Sequence, residues 1–409
     1  MLNGNIVLRS LVPKRFFHAS SPSRVDFSHV VVGGGVVGTA IASELQAVDG
    51  NSVLLVEKNE DLGMETTSRN SEVIHAGLYY PKDSLKGQLC IRGKNKIYDA
   101  WEKGLFQVQL KKCGKWVVAQ NDSEAEYLDK LYKNCQDLDV PVSMVSPSLA
   151  KSKYPHIRAE AGALESPTTG IISAHELTTF YQSNLELREG TIAFNTKVND
   201  IQFNKGDSSY TLQLLNEDGS DMEVTANNVV NSAGLYAPKI ANLILPVERH
   251  YKSFFAKGSY FSFQPETPIS SSKITDKLIY PCPNPNASSL GTHLTLDLGG
   301  QIKFGPDLEW LDIEDASQID YSASSKNQVA AYEAVKTYFP GITLGALQPS
   351  YSGVRPKILS ADDNKKRFAD FVIKEEDHFP GFVNLLGMES PGLTASWAIA
   401  DYVRDIYHK

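Results

Sequence analysis

The chain has 409 residues and a net charge of −8, with 42% hydrophobic and 22% charged residues. That length predicts two domains, and that balance an ordinary globular protein. The acidic balance, with no long basic run after residue 25, argues against nucleic acid as a partner, and the four scattered cysteines (Cys90, Cys113, Cys135 and Cys282) argue against a disulfide framework or a metal site.

Residues 1–25 hold Arg9, Lys14, Arg15 and Arg24, no acidic residue, and apolar and hydroxyl residues between them. This pattern reads as a mitochondrial transit peptide, and Pro13-Lys14-Arg15 interrupts the apolar run that a secretory signal needs. No later apolar run approaches the roughly 20 residues of a transmembrane helix, which leaves peripheral membrane contact open.

Val30-Val31-Val32 predicts a buried parallel strand. It runs into Gly33-x-Gly35-x-x-Gly38, then into a helical pattern with Val37, Ile41 and Leu45 on one face. A second apolar strand, Val53–Val56, ends in Glu57, 24 residues after Gly33, followed by Lys58. Gly33 permits the tight turn, Gly35 lets the backbone approach a pyrophosphate, and Gly38 lets helix and strand pack closely. The helix N-terminus offers free N–H groups to phosphates. Glu57 is suited to ribose hydroxyls and would repel a 2′-phosphate, which disfavours NADP. Strand, glycines, helix, strand and terminal acid in this order make a dinucleotide site, without separating NAD from FAD.

Further along, Ser123–Asp137 predicts a helix with Leu128, Leu131 and Cys135 on one face. Val229–Ser232 reads as a strand ending in Ala233-Gly234, small enough to pass close to a cofactor. Tyr251–Phe255 and Gly258–Phe263 alternate aromatic and polar residues, as in an antiparallel sheet. Near the end, Ser390 is a good N-cap, Pro391 fits the first helical position, and Ile399, Val403 and Ile406 mark an apolar face.

The segment Ser68-Arg69-Asn70-Ser71-x-Val73-Ile74-His75-Ala76-Gly77-x-Tyr79-Tyr80 resembles the FAD-dependent D-amino-acid-oxidase-like superfamily, and within it the L-2-hydroxyglutarate dehydrogenase branch. Tyr280-Pro281-x-Pro283, Leu290-Gly291-x-His293-Leu294-Thr295, Gly353-Val354-Arg355 and Gly387–Thr394 are similar to the same branch. The resemblance spans about residues 28 to 408. It implies an α/β fold in which an FAD-binding Rossmann-like domain of the glutathione-reductase type is interleaved with an antiparallel-sheet substrate domain. The FAD-binding parts are then 26–108, 172–245 and 349–409, and the substrate parts 109–171 and 246–348. It also implies that Val198 offers backbone contacts to adenine, that Ser68–Ser71 and Gly353 approach the flavin, and that the helix beginning near Gly392, Leu393 and Thr394 points its N-terminus at the flavin ring.

The reaction implied is oxidation of an L-2-hydroxy acid, with L-2-hydroxyglutarate foremost, by hydride transfer to flavin N5. Such a reaction needs a base for the hydroxyl proton and a cation for the carboxylate. His75 is read as the base, as a hydrogen-bond donor that positions the flavin, or as structural. His293 is a second base candidate or a satisfied sheet histidine. Arg355 is the expected carboxylate clamp, with Lys357 as a second cation, and a surface basic pair is the alternative. Tyr79, Tyr80 and Tyr280 are candidates for the pocket wall. An amine or amino-acid oxidase, a glycerol-3-phosphate dehydrogenase, and a flavin-binding protein without turnover remain as alternatives. The electron acceptor, whether quinone, electron-transfer flavoprotein or oxygen, is open.

Overall fold

The computed structural model of the chain describes residues 25–283 and 291–408. The expected transit peptide, apart from Val25, and Leu290 lie outside the described residues.

An eight-stranded sheet carries the dinucleotide motif. The strand Phe27–Val32 lies at its middle, with Val53–Val56 parallel on one side and the second half of Asp221–Asn231 parallel on the other. Alternate residues of these strands face opposite layers, and both layers are apolar. Val31, Val53 and Leu55 pack with Ile41, Leu45, Leu185 and Ile399 of the helices Val36–Gln46, Ala174–Leu187 and Gly392–Tyr407. Val30, Val32, Leu54 and Val56 pack with Leu212, Leu214 and Val224 of a three-stranded meander. Coverage on both faces is why these strands are continuous apolar runs rather than alternating ones.

Asp221–Asn231 joins two kinds of pairing. Its first half runs antiparallel to Ser209–Asn216, and its second half runs parallel to both Phe27–Val32 and Phe382–Leu386. Its end therefore delivers Ser232-Ala233-Gly234 beside the glycine turn.

A nine-stranded sheet draws strands from two separate stretches of chain. Lys115–Val118, Ser143–Val145 and Ala163–Ser166 come from the first. Phe254–Phe263, Leu278–Pro281, His293–Leu296, Ile302–Gly305 and Glu309–Leu311 come from the second. The sheet is not antiparallel throughout: Leu278–Pro281 runs parallel to Lys115–Val118. These two strands meet from distant parts of the chain, so no hairpin dictates their direction. The strand Leu347–Lys357 pairs with Phe254–Phe263 along nearly its whole length. The boundary expected at residue 349 thus falls inside a strand of this sheet, at an irregularity in the ladder where Pro349 lies, with pairing on both sides of it.

The helix read at 123–137 spans Asp122–Asp137, with Asn121 as its cap and Leu128, Leu131 and Cys135 buried. The last helix begins at Gly392, later than expected, and no side chain caps it.

Candidate active site

A cavity of about 810 Å³ is lined by residues of both sheets. At one end it meets Val32, Gly33, Gly35, Glu57, Lys58, Val198, Ala233 and Gly234. Gly33 has a φ of +104°, a conformation that side chains rarely adopt. A Cβ on Gly38 would collide with the Gly33 carbonyl oxygen and the Ser232 hydroxyl. Gly38 itself is outside the lining. Its absent side chain lets the helix sit on the turn that faces the cavity.

Glu57 braces this turn. Its Oε2 accepts from the Gly34 N–H at 2.7 Å, and its Oε1 from the Asn59 N–H at 2.9 Å. Burial pushes its carboxyl up, and these two backbone bonds pull the other way. Lys58 is engaged beside it: its Nζ donates to Glu65 at 2.5 Å and lies 4.6 Å from the centre of the Tyr236 ring. The other Glu65 oxygen accepts from the Tyr321 hydroxyl at 2.6 Å.

The segment after the second strand divides by direction. Arg69, Asn70 and Ser71 line the cavity. The Ser68 side chain turns out to solvent and donates to the carbonyls of Met64 and Glu65, which its place in a 3₁₀ turn dictates. Asn70 pins the turn, its amide donating to the Thr67 carbonyl at 2.5 Å and its oxygen accepting from the Glu72 N–H at 2.7 Å. Arg69 stacks on Tyr321 at 4.2 Å, and its backbone carbonyl abuts Gly353, where a Cβ would have no room. Sequence reading passed over Thr67, whose hydroxyl accepts from the Val36 N–H at the start of the first helix. The Thr66-Thr67 pair directly before Ser68 was the available signal.

At the other end His75, Tyr260, Tyr280, His293, Arg355 and the 388–393 turn converge. His75 follows the short strand Val73–Ile74 and is fastened on three sides. Its N–H donates to the Thr394 hydroxyl at 3.0 Å, its carbonyl accepts from the Cys90 thiol at 3.4 Å, and its Nε2 shares a 3.2 Å hydrogen bond with the Ser390 hydroxyl. Ser390 is therefore not the N-cap expected of it. The chain turns over Gly387–Gly392, with the Gly392 N–H donating to Glu389, and this aims the serine at the imidazole. Thr394 likewise lies outside the cavity lining, because its hydroxyl joins the last helix to the His75 strand. Burial, reinforced by the charges of Lys115 and Arg355, pushes the His75 imidazole down to about 3. It is neutral at physiological pH, as a proton acceptor must be.

His293 lies flat against Tyr280, with ring centres 3.5 Å apart and planes 7° from parallel. The two are cross-strand neighbours, since Ile279 pairs with Leu294. Arg355 keeps 38% of its side chain exposed and stands 3.9 Å from Glu389. Lys357 does not join it as a second clamp. Its ammonium is buried and donates to Glu389 at 2.9 Å, as does Lys86 at 3.0 Å. Burial works against ionisation of Glu389, but Lys86, Lys357 and Arg355 overcome it and hold the carboxyl down to about 2. Glu389 thus absorbs the two lysines, and Arg355, of the three cations around it, is the one that lines the cavity.

Lys115, which sequence reading also missed, lies behind this wall. It is 1% exposed, and its ammonium sits 4.7 Å from the centre of the Tyr79 ring and 4.6 Å from that of Tyr280. A single charge at the head of the apolar run Trp116-Val117-Val118-Ala119 was its signal in the sequence.

The cavity fits a flavin dinucleotide. The glycine turn and the ends of the parallel strands form a cradle for a pyrophosphate and ribose. The buried Nε of Arg69 has no partner among the described residues. The N–H groups of Leu393 and Thr394, in the first turn of a 16-residue helix, face no described acceptor. Such a helix end stabilises negative charge on a bound ring.

Fold and cavity together define a dinucleotide-dependent oxidoreductase. The chain matches the FAD-dependent oxidoreductase (DAO) family over residues 28–406 and belongs to it. FAD is its cofactor. It is similar to a mitochondrial L-2-hydroxyglutarate dehydrogenase of Arabidopsis thaliana, 35% identical over 91% of this chain and 82% of that one. It is also similar to a glycerol 3-phosphate dehydrogenase of Caloramator mitchellensis, 32% identical over 93% and 73% of the two chains. Among solved structures, an FAD-bound L-alpha-glycerophosphate oxidase from Mycoplasma pneumoniae superposes with a TM-score of 0.80 at 23% identity, covering 94% of this chain and 95% of that one. Among the described residues no helix is long and apolar enough to cross a membrane, and no cluster of side chains is suited to a metal.

Proposed function

We propose that the protein oxidises the C2 hydroxyl of an L-2-hydroxy acid to the 2-oxo acid, with L-2-hydroxyglutarate as the leading substrate. The observation that carries this reading is the meeting of a neutral, fastened His75 with the cavity-facing cation Arg355 in one pocket. The 35% identical Arabidopsis relative supports the choice of acid. Bound FAD supplies the oxidant, a two-electron acceptor for the hydrogen on C2. Arg355 pairs with the C1 carboxylate through charge-assisted hydrogen bonds and so orients C2. The hydroxyl proton passes to Ser390 Oγ as the serine's own proton passes to His75 Nε2, to which it is hydrogen-bonded. Tyr280 and His293, stacked on each other, form a stiff wall that excludes water.

In this reading the nucleotide-binding unit comprises 26–108, 172–245 and the chain after Lys357, and the larger sheet forms the substrate unit. The basic, acid-free residues 1–25 address the protein to the mitochondrion, where a quinone or an electron-transfer flavoprotein reoxidises it. The glycerol 3-phosphate relative favours a second reading, in which Arg355 holds a phosphate. Anaerobic mixing of the yellow holoprotein with L-2-hydroxyglutarate, other 2-hydroxy acids, glycerol 3-phosphate and amines decides between them. Bleaching at 450 nm is expected with L-2-hydroxyglutarate. Bleaching by glycerol 3-phosphate or amines alone would sink the reading.

A further inference from the structure

Lys115 is a buried lysine with no ion pair and no hydrogen bond among the described residues. Such a group is costly to bury as an ammonium, because only two ring faces replace the water it has lost. Three other cations grouped around Glu389 differ from it. Lys86 and Lys357 share Glu389, and Arg355 remains partly in solvent. The titratable groups facing Lys115 carry no compensating charge. They are Tyr79 and Tyr280, whose rings flank it, Cys90 and Cys135 from the two neighbouring helices, and His75 from the adjacent strand.

Its position relative to the cavity is also defined. Lys115 belongs to the strand paired with Leu278–Pro281, which carries Tyr280. His293 covers one face of the Tyr280 ring at 3.5 Å, so the ammonium, 4.6 Å from the same ring centre, lies on the other side. Tyr280, with His293 stacked on its far face, therefore separates Lys115 from the cavity.

We infer that Lys115 is a positioning residue for the anionic substrate: partly a neutral amine in the empty site, it takes a proton from solvent when an anion enters and holds that anion's charge from behind Tyr280. Of the three buried lysines at this end, Lys115 is the one whose protonation depends on an arriving anion, because Glu389 already balances the other two. Burial pushes its ammonium down to about 7, which places the exchange in the physiological range. The inference rests on the anionic-substrate reading above.

The test is calorimetric titration of the holoprotein with 2-oxoglutarate, the non-reacting product, in two buffers of different ionisation enthalpy. At pH 8.5 the parent is expected to take up close to one proton per ligand, with affinity falling about tenfold per pH unit above pH 7. Lys115→Met should bind more weakly at pH 7, take up no proton and show no such slope. Lys115→Arg, charged throughout, should also lack the slope. His75→Asn should keep the uptake. PH-independent binding by the parent, or uptake lost in His75→Asn and kept in Lys115→Met, overturns this inference alone. Failure of 2-oxoglutarate and of every other acid in the panel to bind overturns it together with the reading beneath it.

Discussion

At the nucleotide end of the cavity the turn, the helix start and the bracing acid come from one continuous stretch, residues 30–57. At the reacting end His75, Lys115, His293, Arg355 and Glu389 arrive from five separate segments. The first end works through backbone: N–H groups, a left-handed glycine, and a carboxylate tied to main-chain donors. The second works through side-chain charge held in a dry setting, where each group's state depends on its neighbours. One end therefore tolerates exchange of its side chains other than Glu57, but not of its glycines. The other tolerates little change of charge.

The largest effect is expected from Gly38→Val. The collision is with backbone, which has nowhere to move. The protein should purify colourless, with FAD content below about a tenth of the parent's; each tenfold loss of affinity needs only about 1.4 kcal/mol. A yellow Gly38→Val protein would break the comparison at its first end.

His75→Ala should keep its FAD and slow anaerobic flavin reduction by about 10²- to 10⁴-fold, the range for loss of a general base. The pH dependence carries a sign. His75 accepts a proton only when neutral, so the rate from free protein and substrate should show no His75 limb above about pH 3. In acid that rate should fall first as the substrate carboxylates are protonated, from about pH 4. A limb near pH 6.5 would mean that burial does not govern this imidazole.

Glu389→Gln leaves Lys86 and Lys357 buried without a counter-charge. Removing one partner of a buried ion pair costs about 3 to 5 kcal/mol, read as a lower denaturant midpoint of the holoprotein. Because the folded carboxyl is held to about 2 against an ordinary 4.5, its contribution is complete above pH 4.5 and is lost as pH falls through about 2. The gap between variant and parent should narrow over that window. A gap unchanged by acid would show that the charge on Glu389 is not what stabilises the cluster.

The smallest effect is expected from Lys58→Met at the nucleotide end. Its pair with Glu65 is 28% exposed on both sides, and such pairs contribute about 1 kcal/mol or less. FAD affinity should change by no more than a few fold. A larger loss would place side-chain charge at an end assigned here to the backbone.

Adjacency in sequence was enough for the first end. Gly33, Gly35, Gly38 and Glu57 lie within one βαβ unit, and the local rules of turns and helix starts dictate their geometry. The segment 68–75 was legible as a resemblance, but not which of its side chains turn inward. A 3₁₀ turn sends Ser68 out and leaves Arg69, Asn70 and Ser71 in. Ser390 had the chemistry of a cap, and only the turn over Gly387–Gly392 shows it bonded to His75 instead.

By itself, then, the sequence determined the dinucleotide fold and the candidate residues His75, His293 and Arg355. Tertiary structure alone decided that Lys357 serves Glu389 rather than a substrate, that His293 stacks on Tyr280, and that Lys115 lies unpaired behind them. The physical reason is one of range. Turn and strand preferences act over a few neighbouring residues and can be read along the chain. A buried charge takes its state from groups that only folding brings within a few ångströms.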